Sequence, residues 1–361
     1  LAGRARKGAA LRYNGAQMPH AQVFIVGAGI AGLHAARRLH AAGVAVVVHE
    51  ARDRVGGRLL GRQVDGDGGG GRLDLGATWF WPGERRVRAL VDELGIATFS
   101  QHRAGDALFD RPRGAQRIEG NPIDVPSRRF THSAASLAEG LAALLPENTV
   151  QLDTATTAID ATGTRLSLVS GGQSWSADQA ILALPPALAL ATIDVAPEPS
   201  PEIALTPVWM GDMTKVVAVY DKPFWRRDGL AGAAISHIGP LREFHDMSGP
   251  DGQPAALFAF ARGPVAKETA RAQLARVYGD DAATPDQLWI QDWSAEPYTA
   301  PPGVESLQDY GRFGAPALTR PLFDRLHWAS TESATVAPGH IEGALAAAER
   351  AADAALARLA A

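Results

Sequence analysis

The chain has 361 residues, 46% of them hydrophobic and 20% charged, which is enough for several domains, or one large domain with an insertion, around a sizeable core. Its net charge of −4 leaves no electrostatic footprint for nucleic acid or an anionic membrane, and no apolar stretch reaches the roughly 18–20 residues that span a bilayer. The absence of cysteine excludes disulfides, thiolate metal ligands, a cysteine nucleophile and any group tethered through cysteine.

In chain order, Leu1–Gln17 is basic and rich in small residues, with no hydrophobic segment suited to a signal peptide. It is expected to be a disordered extension or an expression remnant, with Met18 as the natural start, and a cytoplasmic location is expected. From Gln22 to Glu50 the pattern is strand, glycine turn, helix, strand. Val23–Val26 is a continuous apolar run, as in a strand buried on both faces. Ile30–Ala42 has helical spacing with Leu33, Ala36 and Leu39 inward, Gly43 ends it, and Val44–His49 is a second buried strand. Asp65–Gly71 reads as a flexible turn cluster. Helices are expected at Arg85–Leu94 and Ser133–Leu145, and strand periodicity returns between Val150 and Pro185. Pro197, Pro199 and Pro201 mark a crossing into another region, with strand-like runs at Lys215–Tyr220 and Ala255–Ala261 and a helix near Val265–Tyr278. An alanine-rich helix is expected over Ile341–Ala360. The short charge blocks Arg37-Arg38 and Glu84-Arg85-Arg86 are expected on solvated faces, and the ten histidines show no spacing with carboxylates that points to a metal site.

Gly27-Ala28-Gly29-Ile30-Ala31-Gly32 matches GxGxxG directly after a strand and before a helix. Gly27 permits the tight turn, Gly29 lets backbone approach a pyrophosphate, and Gly32 lets helix and strand pack closely. The first-turn N–H groups and the positive helix end then face the phosphates. Glu50 ends the second strand, where a carboxylate accepts ribose hydroxyls and disfavours a ribose phosphate. A glycine-rich structural turn is the alternative, and these features alone do not separate FAD from NAD.

The next residues, Glu50-Ala51-Arg52-Asp53-Arg54-Val55-Gly56-Gly57-Arg58, resemble the second dinucleotide motif of the flavin-containing amine oxidases, the monoamine oxidase-like superfamily. Gly56-Gly57 offers unobstructed backbone N–H groups, and Arg52 and Arg58 can neutralise phosphate or fix the loop against it. Asp74-Leu75-Gly76-Ala77-Thr78-Trp79 resembles the family's DLGGSW-like segment beside the flavin. The Asp178–Pro186 segment resembles the strand and double proline at which the family leaves its FAD domain; by the same comparison Thr156 and Thr157 meet the adenine. Ser330-Thr331-Glu332 with Pro338–Ala344 resembles the family's GTE…GYMEGA pattern. This implies Glu332 on the ribityl chain and a helix starting at Ile341, with Ala344 in its first turn, aimed at the flavin pyrimidine, where reduction leaves negative charge. The cofactor implied is FAD, bound without a covalent link.

Lys215 lies where many amine oxidases hold a lysine bonded through water to flavin N5; a lysine in an apolar strand needs a polar partner unless it points to solvent from an edge. The resemblance implies hydride transfer from an amine α-carbon to N5, imine hydrolysis, and reoxidation by O2 to hydrogen peroxide. The amine must react in its neutral form, which a pocket with few carboxylates favours. Of the two tyrosines that cage the flavin in monoamine oxidases, one is matched here by His340, which either binds substrate or caps the last helix. The other falls in Asp292–Gly303, with Tyr298 and Trp293 as candidates. Trp79, Phe80, Trp81, Phe258, Phe260 and Trp328 are candidate pocket walls.

The expected architecture is α/β: a Rossmann-like FAD-binding domain assembled from segments 18–80, 146–190 and 304–361, with an inserted α+β substrate domain from 81–145 and 191–303. The insert is shorter than usual for the family, implying a less enclosed site or a homodimer whose partner subunit completes it. The substrate expected is a small or apolar amine, with O2 as acceptor. Two other readings stay open: a desaturase or dehydrogenase of the same superfamily acting on C–C bonds, and a flavin-binding redox module without turnover.

Overall fold

The structure, a computed structural model, describes residues 18–65 and 70–361; the expected extension Leu1–Gln17 and residues 66–69 of the glycine-rich turn lie outside the described residues. Strand β1 (His20–Val26) runs into helix α1 (Ile30–Ala41), which leads to strand β2 (Val46–His49). The apolar run in β1 is buried on both faces, as read from sequence: Val23 and Ile25 pack among helices, while Phe24 and Val26 join a separate core on the opposite side. β1 pairs in parallel with β2 and with the long strand Gln173–Leu182, which is flanked further on by Leu166–Ser170, Thr156–Asp160 and Asp194–Ala196. The later half of that long strand also carries Leu326–Trp328 in parallel, so a segment near the end of the chain lies beside one from its middle.

A second sheet has the order Gln287–Asp292, Met213–Tyr220, Ala255–Arg262, Leu241–Asp246, Leu230–Ser236, Asp106–Arg111, Gly114–Ile118. Its alternation has a direct consequence. Val216, Ala218 and Tyr220 pack with the helix Lys267–Tyr278, whereas Val217 and Val219 pack with Leu73 and Leu75. Lys215, in phase with Val217, is thereby turned toward the Leu75–Thr78 segment rather than toward the helix.

Helix α2 (Arg85–Leu94) has the expected bounds, and α3 (Ala135–Ala143) is shorter than the stretch Ser133–Leu145. Val87, Leu90, Leu137 and Leu141 share one core with Leu33 and Leu39 of α1 and Leu345 of the C-terminal helix Ile341–Leu359. Within segment 81–145 the helices join the first sheet's core, whereas Asp106–Ile118 joins the second sheet.

Gly27 has φ +101, a conformation that favours glycine, and a Cβ at Gly32 would lie 2.0 Å from the Gly27 carbonyl oxygen. Gly32→Val should therefore push α1 off β1 and destabilise the protein by about 1–3 kcal/mol. A urea-denaturation midpoint unchanged from wild type would contradict this packing.

Candidate active site

A cavity of about 630 Å³ opens where β1, β2 and the strand Gln173–Leu182 end, and it is lined from both sheets. Its floor is rich in glycine and alanine. Gly27, Gly29, Ile30 and Ala31 of the glycine loop line it, followed by Glu50, Ala51, Arg52, Gly56, Gly57 and Arg58. Thr156 and Thr157 lie on it too, and Gly76, Ala77, Thr78 and Trp79 form another wall. Ile341 and Ala344 line it from the C-terminal helix, and Lys215, Trp293, Tyr298 and His340 line it as well. Ala28 and Gly32 support the loop from behind and do not line the cavity: the Ala28 amide donates to Glu50 Oε2 at 2.8 Å, and Gly32 packs on Gly27.

The donor set suits a dinucleotide carrying phosphate. α1 begins at Gly29 with no side-chain cap and no acidic residue in its first turn, so its free N–H groups are left for a ligand. A Cβ at Gly29 would meet nothing within 4 Å, so the cavity comes right up to the main chain. The C-terminal helix also starts without a side-chain cap, at His340. Its first-turn acid, Glu342, is turned away and instead accepts the Arg86 and Val87 amides at the start of α2, at 2.9 and 3.0 Å.

Arg52 and Arg58 of the second motif are both engaged. Arg52 donates to Glu296 at 2.9 Å and Thr299 at 2.8 Å and lies 5.6 Å over the Tyr298 ring. Arg58 grips Glu332 with two bonds of 2.7 and 3.0 Å. Of the two roles open to them, the geometry favours fixing the loop. Glu332, expected on the ribityl chain, does not line the cavity; it is fully buried behind it, and the Trp209 amide donates to its Oε1 at 3.0 Å. Burial alone would raise its carboxyl, but Arg58 and the Trp209 amide hold it below the usual carboxylate range.

Lys215 is buried rather than solvent-facing. Its Nζ donates to Gly76 O at 3.1 Å and Thr78 Oγ1 at 2.5 Å, and sits 4.3 Å from the Phe258 ring centre. Burial lowers its pKa to about 7 against the opposing pull of Asp74, whose own carboxyl burial raises. The remaining valence of Nζ has no hydrogen-bond partner among the described residues.

Of the candidate aromatic walls, Trp79, Trp81 and Phe260 line the cavity. Phe80, Phe258 and Trp328 do not; they belong to three different cores. Trp293 is buried, with its ring N–H donating to Leu75 O at 3.1 Å, whereas Tyr298 is 41% exposed at the rim. Trp209, Met210 and Met213 are lining residues that sequence reasoning missed. Glu84 was also misread: far from solvated, it is 6% exposed, and its Oε1 lies 2.6 Å from His340 Nδ1. Its neighbour Arg86 pairs with Glu349 and Glu342.

The model of flavin-containing amine oxidoreductases matches residues 30–132 and 117–356. The putative flavin-containing monoamine oxidase AofH of Mycobacterium tuberculosis is 29% identical, over 91% of this chain and 95% of that protein. Putrescine oxidase of Kocuria rosea is 25% identical, over 90% and 92%. These alignments run over 444 and 450 positions, more than the 361 residues here, so the relatives carry segments that this chain lacks. The fold is shared with cyclohexylamine oxidase from Brevibacterium oxydans, at a TM-score of 0.81 and 22% identity over 95% of this chain and 100% of the other. A structure of putrescine oxidase bound to putrescine superposes at 0.80, with 22% identity over 94% and 99%. With the family match covering most of its length, and a glycine-floored cavity built for a dinucleotide, the chain belongs to the flavin-containing amine oxidoreductases and is an oxidoreductase whose cofactor is FAD.

Proposed function

We propose that this protein oxidises a small or apolar amine to an imine, with O2 as electron acceptor and hydrogen peroxide as product. The observation that carries the proposal is Lys215, buried and held by Gly76 O and Thr78 Oγ1 against Phe258 on the wall shared with Trp79 and Phe260. A bound flavin supplies the chemistry of taking a hydride from the amine α-carbon and passing two electrons to O2.

The chain's own residues position and exclude. In this reading a Rossmann-like unit assembled from separated segments holds the FAD, with the glycine loop and α1 at its pyrophosphate and Glu50 at its ribose. The C-terminal helix directs the N–H groups of its first turn at the pyrimidine, where they favour negative charge. An α+β unit around the second sheet brings Lys215 and Phe260 to the reacting end, where Trp79, Trp81 and Phe260 exclude water and accept an apolar substituent. Glu50 is the only carboxylate lining the cavity among the described residues, and its oxygens accept the Ala28 and Arg52 amides. No carboxylate is therefore left to hold an ammonium, which favours the neutral amine.

With a panel of primary and secondary amines in air, we expect hydrogen peroxide to form in proportion to amine consumed. A FAD-loaded protein that makes none with any amine would contradict amine oxidation. Lys215→Met should lower kcat by about 10²–10³-fold, the effect of removing one preorganised donor. The same variant tests the buried lysine through stability. The folded pKa of about 7 lies below the unfolded 10.5, so between these values the unfolded chain binds the proton and the folded one does not. This group's contribution to stability therefore rises with pH across that window, and its penalty is complete below about 7. Urea midpoints from pH 7 to 10 should climb more steeply for wild type than for Lys215→Met, and parallel curves would contradict the burial.

A further inference from the structure

Building on the amine-oxidation reading, we infer that His340 is the general base that takes the proton from the substrate ammonium, and that Glu84 is the residue that positions it. His340 makes no side-chain cap to its own helix. Its Nδ1 lies instead 2.6 Å from Oε1 of Glu84, whose side chain is 8% exposed and whose Oε2 accepts the Trp81 amide at 2.9 Å. With both oxygens so placed, the carboxylate cannot turn away from the ring. A carboxylate only accepts hydrogen bonds, so Nδ1 is the ring nitrogen that donates to Glu84, and Nε2 is the one left to meet a substrate. That atom has no protein partner among the described residues, and His340 lines the cavity. The Trp81 ring, 4.7 Å away and tilted by 35°, fixes the plane of the imidazole.

The cavity creates the need for this base. An alkylammonium with a pKa of about 10 is neutral only about once in 10³ molecules at pH 7. The other charged groups around His340 are already engaged: Glu332 with Arg58, Glu342 with Arg86 and the first amides of α2, and Lys215 with Gly76 and Thr78. No free carboxylate meets the ammonium, so its proton must go elsewhere as the amine binds. An N–H bond of the ammonium breaks, its electron pair stays on the amine nitrogen, and an Nε2–H bond forms on His340. The imidazolium so made faces the Glu84 carboxylate, and after turnover its proton passes to water. No electrons are exchanged in this step.

The test compares a basic amine with a fluorinated analogue that is already neutral at pH 7. His340→Gln, which can still donate to Glu84, should lower kcat/KM for the basic amine at pH 7 by about 10²–10⁴-fold. For the neutral analogue the loss should stay below about tenfold, and Glu84→Gln should show the same selectivity more weakly. Activity of His340→Gln on the basic amine should recover about tenfold per pH unit as the free amine accumulates. A second readout needs no turnover: binding of a tertiary-alkyl amine, which has no α-hydrogen, followed by calorimetry in buffers of different ionisation enthalpy. Wild type should keep the proton within the complex, and His340→Gln should release about one proton to buffer. Equal losses on the two amines, or identical proton release by both proteins, would overturn the base while leaving amine oxidation intact. Wild-type protein that oxidises neither amine would overturn both.

Discussion

The ion pair between half-buried Arg58 and fully buried Glu332 is the contact on which the cavity's geometry depends. It joins the motif after the second strand to a segment near the end of the chain, and both Arg58 and Glu332 also bind the main chain of Trp209. Three separated stretches thus meet at one fully buried carboxylate. Removing Arg58 would leave the buried Glu332 charge without its compensation, which is strongly destabilising. The same device recurs around the cavity. Glu50 holds the Ala28 and Arg52 amides, Asp74 holds the Ala134 amide, and Glu342 holds the start of α2. A floor of glycine and alanine has few side chains of its own to fix it, and buried acids fix it from behind.

Lys215 extends this logic to the second sheet. Its partners are a carbonyl and a hydroxyl on the Gly76–Thr78 turn, and Asp74 behind that turn compensates part of its charge. Its desolvation is tolerated because each available contact is polar or an aromatic face, and burial lowers the pKa of the amine. A Cβ at Gly76 would lie 1.9 Å from Arg58 O, so the turn that receives the lysine is itself pressed onto the residue that grips Glu332. The positions of the motif after the second strand and of the lysine are therefore linked.

Much of this was legible in the sequence where the signal was local. The glycine loop, Glu50 and the motif after it are contiguous, and a lysine breaking the apolar alternation of Met213–Tyr220 announces a buried polar site. What was not legible depended on distant partners. Glu84 reads as one charge in a Glu-Arg-Arg block; its burial follows from His340, 256 positions away. Phe258 and Phe260 share a sheet face and a composition, yet only Phe260 reaches the cavity, because Trp79 and His245 pack over Phe258. The hairpin Asp106–Ile118 lacks a sustained apolar run, and the amphipathic faces of α2 and α3 do not say which sheet they will cover.

Membership of the amine oxidoreductases and the FAD cofactor rest on the family match, while the proposed reaction rests on how this chain furnishes the reacting end of its cavity: a buried lysine whose pKa burial lowers, an aromatic wall and no free carboxylate among the described residues. The measurement that tests this most directly is anaerobic reduction of the FAD-loaded protein by a primary amine and by the same amine deuterated at its α-carbon, followed by the loss of oxidised-flavin absorbance. The account predicts complete bleaching by both amines, slower with deuterium because the α C–H bond is the one that breaks. A flavin that dithionite reduces but neither amine bleaches, or bleaching at equal rates with both, would contradict it.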